Sequence, residues 1–336
     1  MTRVGYLDGW RGAAILSVLF GHFVTSQGLN LGRFGVELFF VLSGRLMAEI
    51  LFVRETPLQA FFPRRLARIY PALFAFALAM LLAGAATSLN GPSLVNFLAV
   101  ITLTSNYVGL GTHIAAVTQH IWSLCVEEHA YILLGLIAFV RRRVAFPVAG
   151  ACAGLAVLGM LNGALQTLSG LGYYQVYWRS DVRAASILIS VAVYLALRGK
   201  APAWLSFRGA PIVLGLAALA LQVDAAPDPL KYSLGTTLLA ASLALMPRAP
   251  GGVLRALENP VMVRAGVYSY SLYLWQQPFY LATKALWMHL LLLPAAAVAA
   301  LLSYYLIEQP ARTALNGLIG RRLRGRLRAE PARVAA

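Results

Sequence analysis

Within the stretch Tyr6–Phe23, YLDGWRGAAILSVLFGHF, an arginine and an imidazole bracket a nearly unbroken apolar run. Arg11 and His22 are eleven residues apart. At about 100° per residue that is roughly 1,100°, within about 20° of whole turns, so both stand on one helix face. Along the axis they are separated by roughly 16 Å. Ionisable groups inside a bilayer are costly and, where retained, face a protein interior or an aqueous path. A cation at one membrane surface and an imidazole near the other therefore read as the two ends of a track. The plain alternative is an interfacial Arg and a His bonded to a neighbouring carbonyl.

Other residues join this pair. In FGVELFFVLSGRLMAEILFV, Glu37 lies a few residues from the outer end of a second apolar segment. In HIWSLCVEEHAYILL, Glu127 and Glu128 come at a similar depth, which with His22 is roughly 5–8 Å below the outer surface at helical rise. A carboxylate beside an imidazole fixes its tautomer and stabilises the imidazolium, so His22 with Glu127 or Glu128 reads as a general-base pair. The acids could equally be structural partners of arginines. Arg45 stands one helical turn before Glu49, which predicts an intrahelical ion pair, with an oxyanion or phosphate contact as the functional alternative. In FPRRLARIYP, Arg65 and Arg68 are three apart and share a face. Two planar guanidinium forks so placed suit phosphate oxygens, though a generic basic cluster at a membrane surface looks the same. Tyr173, Tyr174, Tyr177 and Trp178 could stack on sugar rings or form an interfacial aromatic belt. Asp181 and Arg183, just beyond them, complete with Glu37, Arg45, Tyr177 and Trp178 the expected acceptor contacts. No metal site is expected.

The elements that must position these residues are read from composition. Of 336 residues, 60% are hydrophobic and 12% charged, about half the charge fraction of a soluble domain. Apolar runs long enough to span hydrocarbon recur along the chain. About ten spans are expected, roughly 12–27, 34–53, 70–89, 121–140, 144–162, 180–198, 210–223, 230–247, 267–287 and 288–307, with 94–108 a re-entrant or interfacial piece. The fold class is therefore all-α, a polytopic transmembrane helix bundle. With the N-terminus placed inside, 22 of the 28 Lys and Arg fall on the inner side, leaving Arg33, Arg45, Arg179, Arg183, Lys231 and Lys284 for the outer side or the spans. That asymmetry predicts both termini in the cytoplasm. The net charge of +16 thus reads as a topology signal, and no nucleic-acid module accompanies it. Residues 1–312 form the expected transmembrane domain and 313–336 a basic cytoplasmic tail, whose RRLRGRLR suits anionic lipid. Cys125 and Cys152 lie in apolar runs and are expected to be free thiols. The N-terminus lacks the pattern of a signal peptide.

Six pieces of this sequence, in order from Leu7 to Arg312, resemble the acyltransferase-3 family of integral membrane acyltransferases: LDGWRGAAILSVLFGH, FGVELFFVLSG, RRLARIYP, WSLCVEEHAYIL, YSYSLYLWQQP and IEQPAR. That family includes bacterial O-acetyltransferases of lipopolysaccharide, exopolysaccharide and Nod factor. The resemblance implies transfer of an acyl group, most commonly acetyl from acetyl-CoA, from the cytoplasm to an acceptor hydroxyl, often on a sugar, at the outer face. It also implies a bacterial cytoplasmic (inner) membrane location, a glycan or glycolipid acceptor and membrane lipids as surroundings. Carried over, the family's essential Arg and His are Arg11 and His22, its R-x-x-R pair is Arg65 and Arg68, and its paired acids are Glu127 and Glu128. The sequence departs from the family at Arg45 (usually Phe), His129 (commonly Gln) and Gln276–Gln277 (commonly His-Trp), which bears on the acceptor side more than on the reaction. The family's fused hydrolase-like domain has no counterpart here, so a stand-alone transferase is expected.

Residue chemistry and resemblance together predict that Arg11, Arg65 and Arg68 hold the nucleotide phosphates while the pantetheine arm threads towards His22. There the imidazole takes the proton of an attacking hydroxyl, with an acyl-His intermediate as the variant. The rival of a different class is a transporter or flippase of a lipid-linked or acylated glycan, which would need no acyl-CoA. The oligomeric state is left open.

Overall fold

The structure of the protein is a computed structural model that describes residues 4–24, 28–87, 92–111, 114–199, 201–283 and 285–334, with backbone alone over 86–87 and 324–334. The expected ends of the first span, at Gln27, and of the third, at 89, lie outside the described residues. So do Arg3, Lys200 and Lys284 of the charge count and the last two residues of the tail.

Among the described residues the chain is helical throughout, with no strand beyond an isolated bridge between Leu29 and Val223. The first half comprises α1 (Gly5–Phe23), α2 (Leu31–Met47), α3 (Leu58–Thr87), α4 (Leu94–Ile101), α5 (Ser105–Gly111), α6 (Trp122–Arg141), α7 (Val148–Leu168) and α8 (Tyr173–Tyr177). The second half comprises α9 (Ser180–Leu197), α10 (Ala210–Ala220), the single turn α11 (Asp228–Leu230), α12 (Thr236–Leu245), α13 (Gly251–Leu257), α14 (Pro260–Leu281), α15 (Leu286–Ser303) and α16 (Gln309–Val334).

A helix lies on each expected apolar segment, but among the described residues five are long and apolar enough to cross a membrane: Leu58–Ala85, Ala116–Arg141, Val148–Leu168, Ser180–Leu197 and Leu286–Leu323. The bent pair Asp228–Arg248 and Gly251–Leu257 makes a sixth if taken as one span. The helices that fall short of the expected count have physical reasons. α10 has only 11 residues, and α14 buries Ser269, Ser271, Gln276 and Gln277 along its length. Exposed Leu158, Leu165, Leu216, Leu291 and Leu306 cover the outside where a water-soluble domain would carry charge. This is a multi-pass helical membrane protein. The last long helix, Leu286–Leu323, runs unbroken through the expected 312/313 boundary of the tail.

The stretch 94–108 breaks into α4 and α5 around Leu103, whose φ of 56° is left-handed. Ser93 and Asn96 cap α4 reciprocally, satisfying its first amide groups. A helix so interrupted is too short to span.

α1 lies between α2 and α14. It meets α14 backbone to backbone: a Cβ on Gly12 would stand 2.1 Å from the Met262 carbonyl oxygen, and one on Gly266 1.9 Å from that of Asp8. Small residues permit such approach, and this is how membrane helices gain dispersion contact without a hydrophobic driving force. α2 returns antiparallel to α1, with Trp10 Nε1 donating to the Leu38 carbonyl at 3.3 Å near one end and Gly21 against Gly32 at the other. Beyond Met47, α2 runs directly into a π-helical segment, Ala48–Val53, which turns the following residues off the α-helical register. Cys125 and Cys152 are free and buried.

Candidate active site

α1, α2, α3, α6 and α14 enclose an inner cavity of about 250 Å³, into which Arg11, Arg65 and Arg68 project with Ser43 and Glu127. Arg65 is the hub. Its Nε donates to Glu128 Oε1 at 2.7 Å, its Nη2 lies 3.0 Å from Glu127 Oε1, and its guanidinium sits 4.1 Å from the Tyr131 ring centroid. Glu127 also accepts short hydrogen bonds from the Ser43 and Tyr131 hydroxyls. Arg11 pairs with Asp8 at 2.6 Å. Arg68 has no carboxylate within ion-pair distance among the described residues, although it lines the same cavity. Arg11 is matched by Asp8 and Arg65 by two glutamates, so Arg68 is the guanidinium of the three left outside an ion pair among the described residues, and its planar fork suits an oxyanion such as a phosphate.

A second cavity, of about 420 Å³, lies towards the other end of α1, the end expected to face outward, and holds His22 and His120 with the aromatic wall Tyr173, Tyr177 and Trp178. His22 Nδ1 lies 2.7 Å from Gln276 Oε1, and its ring stacks on Tyr280 with centroids 4.7 Å apart. A carbonyl oxygen only accepts, so this bond places the proton on Nδ1 and leaves Nε2 with its lone pair free. A Cβ at Gly32 would stand 3.6 Å from Nε2, so position 32 of α2 brings no side chain over that atom. His120 is buried, and neither of its ring nitrogens has a hydrogen-bond partner of good geometry.

The aromatic wall is held from behind. Asn106 Nδ2 donates to the Trp178 carbonyl at 3.1 Å and to Ser180 Oγ at 2.9 Å. Tyr173 and Tyr177 stack at 4.9 Å, and the Arg33 guanidinium lies 4.1 Å from the Tyr173 centroid. Burial, with Tyr177 and Tyr232 nearby, pushes the Tyr173 phenol far above its ordinary range, so it stays neutral. Flat rings and neutral hydrogen-bonding groups suit a carbohydrate ring. The two cavities share Val36 and Tyr273 as lining residues.

Arg11, Arg65, Arg68 and Glu127 meet at the inner cavity, and His22, Tyr177 and Trp178 at the outer one, but the expected general-base pair does not form. Glu127 and Glu128 are engaged by Arg65, and the group on His22 is the carboxamide of Gln276. The depth assigned to the two glutamates is corrected accordingly. Glu127 meets Ser43, 12 residues beyond the start of α2, where Gly32 lies beside His22, or roughly 18 Å at helical rise. Buried carboxylates are stable only when paired, and the nearest cations belong to the R-x-x-R turn of α3.

Among the expected acceptor contacts, Glu37 and Arg183 form one buried ion pair, with Thr236 donating to Glu37 Oε2 at 2.8 Å. Arg183 lies 3.8 Å from the Tyr232 centroid and 5.1 Å from that of Tyr177, so it supports the aromatic wall from beneath. Asp181 instead binds Arg179, Tyr107 and Asn162, and lines neither of these two cavities. Arg45 does not pair with Glu49: it donates to the Tyr6 hydroxyl at 3.0 Å, while Glu49 accepts from Arg54 at 2.9 Å and Tyr194 at 2.8 Å. Glu49 lies in the π-helical segment Ala48–Val53, outside the regular α-helical spacing that the expectation assumes. His129 bonds Ser180 Oγ at 2.7 Å.

Gln276, His120 and Tyr273 were missed as site residues. Gln276 did carry a signal, since it departs from the family pattern, and His120 stands two residues before the Trp of WSLCVEE. Among the described residues no group of three or more His, Cys, Asp or Glu is placed to hold a metal ion.

An Acyltransferase domain family model matches residues 4–308. A Staphylococcus aureus (strain COL) protein with the printed name "Putative O-acetyltransferase SACOL0978" is 25% identical over 93% of this chain and 58% of its own length. The O-acetyltransferase OatA of Staphylococcus aureus (strain NCTC 8325 / PS 47) is 24% identical over 91% of this chain and 57% of its own. The chain therefore spans little more than half the length of these curated relatives. No solved structure matches it.

Proposed function

Since this chain belongs to the acyltransferase-3 family of acyltransferase domains, we propose that it moves an acyl group from cytoplasmic acyl-CoA to a hydroxyl of a cell-surface glycan or glycolipid at the outer face of a bacterial inner membrane. Acetyl is the proposed acyl group, in keeping with the names of the relatives. The proposed topology has about ten spans with both termini in the cytoplasm, the shorter helices completing the set.

One observation carries the reading. A single helix, α1, contributes Arg11 to a cavity with two further arginines and His22 to a second cavity with an aromatic wall, and the two cavities share walls. In this account the phosphates of acyl-CoA rest against Arg65, Arg68 and Arg11. The pantetheine arm covers the roughly 16 Å to His22. Nε2 of His22 takes the proton from the acceptor hydroxyl as its oxygen attacks the thioester carbonyl. The C–O bond forms, the C–S bond breaks, and the proton passes from the imidazolium to the departing CoA thiolate. Gln276 is the positioning residue that holds the ring through Nδ1. Glu127 and Glu128 act through Arg65, fixing its fork towards the phosphates.

The test is His22→Ala in cells whose surface glycans are weighed by mass spectrometry. The acyl increment seen with the wild-type protein disappears in the variant while membrane insertion persists. An acyl increment undiminished in His22→Ala refutes the role given to the imidazole.

A further inference from the structure

The inner cavity, with its arginines, and the outer cavity, with His22, meet at two side chains, Val36 of α2 and Tyr273 of α14, which line both. A group that crossed from one cavity to the other at this common wall would have to pass these two side chains. Neither is loose. Tyr273 donates its hydroxyl to the His120 carbonyl at 2.8 Å and sits 2.6 Å from Ser123 Oγ. Its ring is flanked by His120 at 5.3 Å and Phe39 at 6.3 Å between centroids. Val36 is buried, and a β-branched side chain in a helix has essentially one rotamer. A pinned aromatic ring and a stiff branched side chain at this crossing would yield little, so their bulk would set the width of any passage there.

We infer that Val36 and Tyr273 form a filter that selects the acyl donor by cross-section, admitting unbranched acyl groups and excluding branched ones. This rests on the acyl-transfer reading above. An unbranched acyl chain is no thicker than the mercaptoethylamine end of the pantetheine arm that must follow it, so any aperture that passes the arm passes the chain. A branch next to the carbonyl is wider than that arm. The arm's own branched carbon lies towards the phosphates and stays on the arginine side. Forcing extra methyl groups past well-packed side chains is unfavourable, and one misfitting methyl or methylene in an apolar site changes selectivity by roughly 10- to 200-fold.

The experiment uses inverted membrane vesicles from cells making the full chain, so that the cytoplasmic face is open to added donors. Acetyl-CoA is supplied in competition with butyryl-CoA or with isobutyryl-CoA, which have equal carbon number but differ in branching. Esters are released with mild base, and the freed carboxylic acids are measured against vesicles lacking the protein. Wild type should incorporate acetate and butyrate but little isobutyrate. Val36→Ala should raise the isobutyrate-to-acetate ratio by about 10-fold or more and the butyrate-to-acetate ratio much less. Tyr273→Phe, which keeps the ring but frees it from its two hydrogen bonds, should move the same ratio in the same direction and serves where Val36→Ala is poorly made. Ratios unchanged in both variants overturn the filter, as does an equal rise for butyrate, which would locate selection in chain length. No base-labile acyl above background in wild type would instead remove the acyl-transfer reading, and the filter with it.

Discussion

Arg65 and Arg68 belong to one sequence motif and line one cavity, yet their surroundings predict different consequences of removal. Arg65 is bound to Glu127 at 3.0 Å and to Glu128 at 2.7 Å inside the bundle. Arg65→Ala leaves both carboxylates buried and unpaired, and removing one partner of a buried ion pair is destabilising by roughly 3–5 kcal/mol. Arg68 forms no ion pair among the described residues: it stands beside the cations Arg11 and Arg65, but also within the field of the Glu127, Glu128 and Glu308 carboxylates. In the empty protein that repulsion and that attraction oppose one another, so Arg68→Ala should change thermal stability much less than Arg65→Ala. What it loses is a charge-assisted contact to phosphate, about 1.5–3 kcal/mol, or roughly a 10- to 100-fold weaker Kd for acyl-CoA. The assay pairs thermal unfolding of detergent-purified protein with calorimetric titration by acetyl-CoA. Arg65→Ala should show a clear loss of unfolding temperature. Arg68→Ala should show a much smaller loss and yet bind the nucleotide far more weakly. Wild-type affinity in Arg68→Ala, or wild-type stability in Arg65→Ala, would refute the division of labour drawn from the geometry.

Other consequences are equally direct. Gln276→Leu removes the acceptor at His22 Nδ1 and should lower the transfer rate by roughly 10- to 100-fold without weakening acetyl-CoA binding, whereas Gln276→Glu, which can still accept that proton, should retain most of the rate; the check is kcat set against Kd. The Glu37–Arg183 pair should behave as structure. Arg183→Ala is expected to be destabilising by roughly 3–5 kcal/mol, and the double change Glu37→Leu with Arg183→Met should recover most of it, as followed by thermal unfolding. Gly12→Val places a Cβ 2.1 Å from the Met262 carbonyl oxygen and should prevent α1 from seating on α14, seen as loss of the monodisperse peak in size-exclusion chromatography. Arg45→Met should leave acyl transfer largely intact, because the guanidinium serves Tyr6 and Tyr194 away from both cavities.

What could be read in advance was what one helix encodes by itself. The shared face of Arg11 and His22, the Arg65–Arg68 spacing and the antiparallel return of α2 follow from helical geometry and a short loop, and all three are found. Partnerships between distant segments were not legible. Gln276 reaches His22 because Gly12 and Gly266 let α14 lie against α1 at backbone distance, an approach that no local pattern reveals. Glu127 and Glu128 were assigned to the imidazole on depth alone, and depth does not say which helix supplies the counter-charge. The Arg45–Glu49 expectation assumed an unbroken α-helix, and the π-helical segment after Met47 removed that premise. Helices α1, α2 and α14 also read as less apolar than a lone span, because they carry the polar residues that line or support the two cavities.

The account's central claim is that a thioester held by arginines on the inner side reaches His22 through the bundle. The most direct measurement is an experimental structure of the full chain in lipid nanodiscs with a non-hydrolysable acetyl-CoA analogue. The prediction is phosphates against Arg65 and Arg68, the arm passing between Val36 and Tyr273, and the sulfur-equivalent atom within about 6 Å of His22 Nε2, the sum of a hydrogen bond and an attack distance. A nucleotide seated in the outer cavity, or an acyl end that stays on the arginine side of Tyr273, would contradict it.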